Sequence, residues 1–397
     1  MSIERAIGVY ETALNADDTD TILGLYGADP VFMPHGAPAL VGRAAARAGY
    51  EHVFKTLKRN AYVTTLATLT LALGLSFTTA SHAQEADKLP NHVPVLPQIK
   101  ARALAVDPQK GYLVKQVKPD VYVITDGIYQ SVFVTTGKGV ILIDAPESFA
   151  QHIVKAVADV TREPIVQLVY SHAHLDHIAG AGLLVKQVPK LAIVAEAGTA
   201  AFLREKKDPR RPVPTSTFKN QRTLKLGTMT VELKKGHWHS PEGDLFIYLP
   251  QRKFLMAIDT LAAGHVPFMD FDLSTNMHSY LKVFDRLLAY DFDVLVAGHL
   301  TYLADRQDVQ MTKDYALDVY KTVKRIHDGT DQMKVMSAAA QKYSWDNKFA
   351  IFRTLLDGVV EQCAAEIQGR WIDKLAGVDV FGASHCRAAL IYARWDD

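Results

Sequence analysis

Six consecutive residues, His172-Ala173-His174-Leu175-Asp176-His177, carry four side chains able to donate electron pairs to a metal ion. At background residue frequencies an H-x-H-x-D-H run arises by chance in about one chain per thousand of this length, so the signal is specific. Its spacing also makes chemical sense. In an extended segment residues two apart point the same way, so His172 and His174 can grip one ion. Asp176 and His177 lie where the chain turns into a helix and can reach a second ion. Imidazole nitrogen and carboxylate oxygen suit zinc and tolerate iron or manganese.

Four more candidates sit at the ends of strand-like runs. They are Asp144 after Val140-Ile141-Leu142-Ile143, His239 in Gly236-His237-Trp238-His239-Ser240-Pro241, Asp259 after Phe254-Leu255-Met256-Ala257-Ile258, and His299 after Val294-Leu295-Val296-Ala297-Gly298. Singly they mean little: a lone His after a strand is usually a core or surface residue, and a lone Asp is usually a turn former. Together, and in this order, they resemble the motifs of the metallo-β-lactamase superfamily over about residues 112–304. The resemblance implies a four-layer αββα sandwich of the α/β class and a centre of two divalent ions, Zn2+ first, with Fe or Mn as alternatives. It implies that His172, His174 and His239 bind one ion, that Asp176, His177 and His299 bind the other, and that Asp259 and a water bridge them. His239 fits best because Ser240-Pro241 follow it. His237 is the rival, or a donor to a ligand. Asp144 is implied as an orienting acid that does not touch metal. Two cations lower the pKa of the bridging water, and the resulting hydroxide attacks a carbonyl or phosphorus. Asp176 orients it or passes its proton to the leaving group.

Asp259 narrows the substrate. Glyoxalase-II-like thioesterases and lactonases use a bridging aspartate, whereas zinc β-lactamases generally carry Cys or Ser there. An ester, thioester, lactone or amide carbonyl is therefore the expected substrate, with β-lactams as the alternative. The diiron flavoprotein branch is disfavoured because no flavodoxin-like domain follows. Nuclease members usually carry a β-CASP insert, which is not evident. His265, Phe268 and Phe271, in the loop after Asp259, are expected either to line the substrate cavity or to pack in the core. Tyr302 either offers its phenol to substrate or is an ordinary strand-exit residue. His278 is expected to face solvent. The charged run from Glu205 to Arg211 is read as a solvated loop, or as a guide for an anionic substrate. Two other classes stay open: a non-catalytic metal-binding protein and an NTF2-like ligand-binding protein.

Elements able to position these residues are visible in the periodicity. Strands are expected at 121–125, 132–136, 140–144, 165–170, 191–195, 229–233, 245–249, 253–257 and 294–297. Helices are expected at 148–161, 178–187 and 276–288. From about 305 the pattern turns helical, at 309–326 and 349–367, giving an appendage over 305–397 behind a domain of residues 109–304. At 397 residues the chain has room for two or three domains.

The start of the chain reads differently. Residues 55–83 combine Lys55, Lys58 and Arg59, an apolar run from Ala61 to Phe77, and Ser81-His82-Ala83. Basic region, short apolar core and small-x-small site make a secretory signal, with a core too short for a comfortable membrane span. If it acts as one, the protein is periplasmic or secreted. Residues 1–54 resemble the first half of a SnoaL/NTF2-like cone-shaped domain, a fragment whose His35 is most simply a surface residue. Residues 84–108, with Pro90, Pro94 and Pro97, read as an extended linker. Lys+Arg 44 against Asp+Glu 43 gives no bulk attraction to nucleic acid, so a small-molecule substrate is the expected partner. Cys363 and Cys386 form one disulfide in an oxidising compartment, or stay two small buried side chains in the cytoplasm. Oligomeric state is left open.

Overall fold

A computed structural model describes residues 9–10, 12–14, 16–26, 31–32, 40–56 and 91–396, which fall into two units divided between Pro90 and Asn91. In the first unit, helix Thr19–Gly24 starts at Asp18, whose carboxylate accepts the Thr21 N–H, and helix Arg43–Thr56 follows a two-residue antiparallel pairing of Val31–Phe32 with Leu40–Val41. Tyr50 gathers this small core, bonding Tyr10 at 2.9 Å and Tyr26 at 2.7 Å through the phenols. Of the signal-like segment 55–83, only residues 55–56 are described, as the end of a helix; its apolar run and its cleavage-like site lie outside the described residues, as does His35. Among the described residues no helix is long and apolar enough to cross a membrane.

The second unit is built on two sheets. The first holds seven strands in chain order: β1 (Leu113–Lys118), β2 (Val121–Thr125), β3 (Gln130–Thr135), β4 (Val140–Ile143), β5 (Ile165–Val169), β6 (Ala192–Glu196) and β7 (Ser216–Phe218). Hairpins make β1–β4 antiparallel. Helical crossovers make β4–β7 parallel. The second sheet holds β8 (Gln221–Leu226), β9 (Met229–Gly236), β10 (Asp244–Leu249), β11 (Phe254–Met256) and β12 (Val294–Val296), antiparallel except for the β11–β12 pair. β4 reads Val-Ile-Leu-Ile without alternation because both of its faces are buried.

Three apolar seams follow from that two-sided burial. Ile141, Ile143, Val169 and Val194 of the first sheet meet Val231, Ile247, Phe254 and Met256 of the second. The other face of the first sheet, with Leu142, Leu168 and Ile193, packs under α1 (Ala150–Ala158) and its helical neighbours. The outer face of the second sheet, with Phe246, Leu255 and Leu295, packs under α2 (Met277–Leu288) and the C-terminal helices. The layers therefore run α, β, β, α, as the resemblance implies. The C-terminal helices are α3 (Arg306–Gly329), α4 (Gln332–Tyr343), α5 (Lys348–Trp371) and α6 (Val378–Trp395). The appendage expected over 305–397 shares one core with the outer layer: Val309, Tyr315 and Cys386 join Phe284 and Leu295. Cys363 on α5 and Cys386 on α6 are disulfide-bonded, with Cα atoms 6.0 Å apart.

One reading of the sequence needs correction. The described part of the expected linker, 91–108, is tied down. Ile99 is buried, Arg102 pairs with Asp308 at the start of α3, and the Leu104 N–H donates to the Thr301 carbonyl. Proline spacing hid these anchors. His278 is exposed, as expected, with its Nδ1 lying 2.9 Å from the Tyr392 hydroxyl.

Candidate metal centre

Every candidate ligand sits where a strand ends, and the two sheets contribute jointly. β5 runs into Ser171-His172-Ala173-His174, and the short helix Leu175–Ile178 presents Asp176 and His177. The loop after β9 brings His239. The chain past β11 brings Asp259, and that past β12 brings His299. Two groups form: His172, His174, His239 and Asp259 in one, Asp176, His177 and His299 in the other, with the potential ligand atoms of each group within 4.8 Å of one another.

Asp259 joins the groups. Its Oδ2 lies 3.4 Å from His172 Nε2 and 3.2 Å from His239 Nε2. Its Oδ1 lies 3.3 Å from His177 Nε2 and 3.0 Å from His299 Nε2. His174 Nδ1 is 2.8 Å from His239 Nε2. Zinc–nitrogen bonds of about 2.0–2.1 Å at tetrahedral angles put neighbouring ligand atoms about 3.3 Å apart, so the observed spacings suit shared coordination. His172 Nε2 and Asp259 Oδ1 are buried and make no well-aligned hydrogen bond within the protein. Buried polar atoms left unpaired are costly, and a cation at this convergence satisfies both. The donor set therefore fits divalent metal.

The electrostatics of the metal-free chain agree. Burial raises the carboxyl pKa of Asp259, but the His177, His299 and His239 imidazoles outweigh it and hold the group well below the usual range. Burial pushes His172 well below the ordinary imidazole value, and it lowers His174 with help from His239. Burial also opposes a charge on His177, yet Asp259, Asp176 and Asp144 overcome it and raise its pKa to about 9. In the first group His172, His239 and Asp259 are buried, Asp259 at 5% exposed, and His174 is half-buried, whereas the side chains of Asp176 and His299 remain 36% and 34% exposed. Access is thus from the second group's side.

Supporting contacts fix the ligand loops. Asp144, at φ 61° just past β4, accepts the Ser171 N–H at 2.7 Å and touches no ligand side chain by hydrogen bond; burial raises it to about 6. Ser171 Oγ lies 3.0 Å from His172 Nδ1, which directs Nε2 into the site. Gly298, at φ 100°, leaves no room for a side chain: a Cβ would come within 2.8 Å of Ile258 Cγ2 and 3.0 Å of His177 Cε1. Only glycine fits beside His299.

Three contributors escaped sequence reasoning. Asp244 accepts the backbone N–H groups of Trp238, His239 and Ser240 at 2.8, 3.0 and 2.9 Å, so it shapes the loop that carries His239. Its sequence signal is its place five residues past His239, after Gly243. Arg211, in the charged run read as solvated, is buried and donates to the Ala173 carbonyl at 2.6 Å, between two ligands. Tyr129 sets its ring 5.2 Å from that of His299 and 6.1 Å from that of His177. Burial, and then the Asp176 carboxylate, raises its phenol's pKa.

Other expectations fare unevenly. His237 belongs to neither group and is half-buried, while the loop around His239 is held by Asp244 acting as an acceptor. Phe271 does not line a cavity: it is fully buried, stacked on His385 and against Tyr280, because a left-handed backbone turns it inward. Phe268 is 52% exposed and packs edge-on against Phe381. His265 and Tyr302 stack on each other at 4.9 Å, with His265 Nδ1 bonded to the Ala263 carbonyl.

Comparison with known proteins accords with this geometry. Residues 124–299 match the metallo-beta-lactamase superfamily. Over 197 residues the chain is 27% identical to the 2,4-dinitroanisole O-demethylase subunit alpha of Nocardioides sp. (strain JS1661), covering 48% of this chain and 58% of that protein. The match therefore spans a little over half of that relative's length. Among solved structures, a metallo-beta-lactamase from Pontibacter korlensis aligns with 51% of this chain and 97% of its own, at 20% identity and a TM-score of 0.45. The segment 124–299, which carries the match to the metallo-beta-lactamase superfamily, also carries the candidate ligands at its strand ends.

Proposed function

We propose that the chain is a metal-dependent hydrolase that holds two divalent ions, zinc first, and opens an ester, thioester, lactone or amide carbonyl of a small molecule. The observation that carries this reading is the division of Asp259, one oxygen toward each histidine group. Divalent cations held there would supply Lewis acidity, acidifying a water and polarising a carbonyl oxygen. The chain's own residues do the rest. The enclosed histidines exclude bulk water from one side, so substrate approaches past Asp176 and His299. Asp176, the most exposed carboxylate of the set, accepts the attacking water's proton and returns it to the leaving group. Tyr129, kept protonated, donates a hydrogen bond to a substrate oxygen from the same side.

A second reading takes its substrate class from the relative named an O-demethylase: hydrolysis of an aryl methyl ether, with water adding at the ring carbon bearing oxygen and methanol leaving. One screen separates the readings. The zinc-loaded full chain is offered a carboxylic ester, a thioester, a lactone, a β-lactam and 2,4-dinitroanisole, with Asp176→Ala in parallel. Carbonyl turnover that falls by about 100-fold or more in Asp176→Ala is expected, in line with loss of a general acid–base group. Turnover of the ether alone selects the second reading. Activity unchanged in Asp176→Ala overturns the role given to that residue, and inertness toward every substrate overturns the hydrolase reading.

A further inference from the structure

His239 Nδ1 donates to the Asp272 carbonyl, which leaves Nε2, the atom facing His174 and Asp259, as the lone-pair donor. That carbonyl belongs to a turn that the backbone resists. Asp270, Phe271, Asp272 and Leu273 all have φ between 53° and 58°, where the Cβ of an L residue crowds the following carbonyl oxygen. None of the four is glycine, so the turn persists only if its surroundings hold it.

The C-terminal helices hold it. His385 on α6 places Nε2 3.0 Å from the Phe268 carbonyl at the head of the turn, and Nδ1 2.7 Å from the Tyr315 hydroxyl on α3. Its ring stacks on Phe271 with centroids 4.5 Å apart. Beside it, Ser384 Oγ accepts the Asp270 N–H at 3.0 Å. Burial pushes the His385 pKa down to about 4. The ring is therefore neutral, with one N–H for Phe268 and one lone pair for Tyr315.

We infer that His385 is a positioning residue for the metal centre: by clamping the left-handed turn 269–273 it holds the Asp272 carbonyl against His239 and so fixes that ligand's tautomer and aim. The inference rests on the metal-centre reading and adds a link from the C-terminal helices to one ligand group only. It predicts a selective defect, since the clamp bears directly on His239 and reaches the Asp176, His177 and His299 group only through the shared Asp259 carboxylate.

The test uses the full chain. Long-range proton–nitrogen spectra of the metal-free protein should show His239 as the Nδ1–H tautomer in wild type and as a mixture in His385→Ala. Titration with Co2+ should then show one of two binding steps weakened by about 10–100-fold and the other unchanged. His385→Gln, whose amide can both donate and accept, should restore the tautomer and the affinity. So should Leu273→Gly placed in His385→Ala, because glycine relieves the left-handed position at an exposed side chain. Equal weakening of both steps, an unchanged tautomer, or failure of both rescues overturns the inference. If His385→Ala does not fold, Ser384→Ala takes its place, and an unchanged first step there also overturns it. A wild-type chain that binds no Co2+ removes the centre itself, while the metal-free spectra judge the clamp independently.

Discussion

Gly298→Ala is the smallest change that should damage the centre. The added methyl meets Ile258 Cγ2 at 2.8 Å and His177 Cε1 at 3.0 Å, and both neighbours are buried, so neither can swing aside into solvent. The backbone adds to the clash, because φ 100° is a conformation that alanine rarely adopts. Overpacking costs about 1–3 kcal/mol and the backbone conformation about 1–3 kcal/mol more, so the lower half of their sum, about 2–4 kcal/mol, is expected after relaxation. For a unit of about 300 residues that lowers the thermal midpoint by roughly 3–6 °C. The cheapest relaxation moves the His177 ring or the His299 backbone, both in the second ligand group. Calorimetry of the metal-free variant and elemental analysis of the zinc-loaded one check the two parts separately. The expected result is a lowered midpoint with about one ion fewer per chain. A midpoint within a degree of wild type, with unchanged metal content, would refute the steric reasoning.

Two further outcomes are expected. Asp244→Asn keeps the shape but weakens acceptance of three N–H groups, so isothermal titration should show zinc affinity reduced by about 10–100-fold. In the metal-free chain His177 has its folded pKa raised to about 9, above the ordinary 6.5. Its contribution is fully present below pH 6.5 and is lost as pH rises through 9. The thermal midpoint of metal-free protein should accordingly fall between those values, while zinc uptake at pH 7.5, which needs neutral imidazole, should release a proton measurable in weakly buffered titration.

Much of the candidate site was legible: Asp144, Asp259 and His299 each end an apolar run with an unexpected side chain, and His172, His174, Asp176 and His177 stand out as a cluster. Strand ends are fixed by local pattern, so chemistry placed there can be read along the chain. Contacts made across the fold leave no such trace. Arg211 looks like one more charge in Glu205–Arg211 until the fold buries it under Ala173. Phe271 sits in a loop whose left-handed backbone no residue type announces, since glycine, the usual marker, is missing from 270–273. Tyr129 carries no signal of its own, because its neighbours His177 and His299 come from distant parts of the sequence. The strap at 91–108 was misread for the opposite reason: its prolines suggest freedom, while Ile99 and Arg102, which dock it, are unremarkable in type.

Asp259 and His239 come from the chain's second sheet region and His172 and His174 from its first, while the other group likewise draws Asp176 and His177 from one half and His299 from the other. During synthesis, therefore, neither half emerging from the ribosome carries a full ligand set. Tight ion capture must wait until residue 299 has been made and the halves have closed on each other. A nascent or split chain that ends before β8 would hold only three histidines and one aspartate on a single loop, and should scavenge metal loosely or not at all.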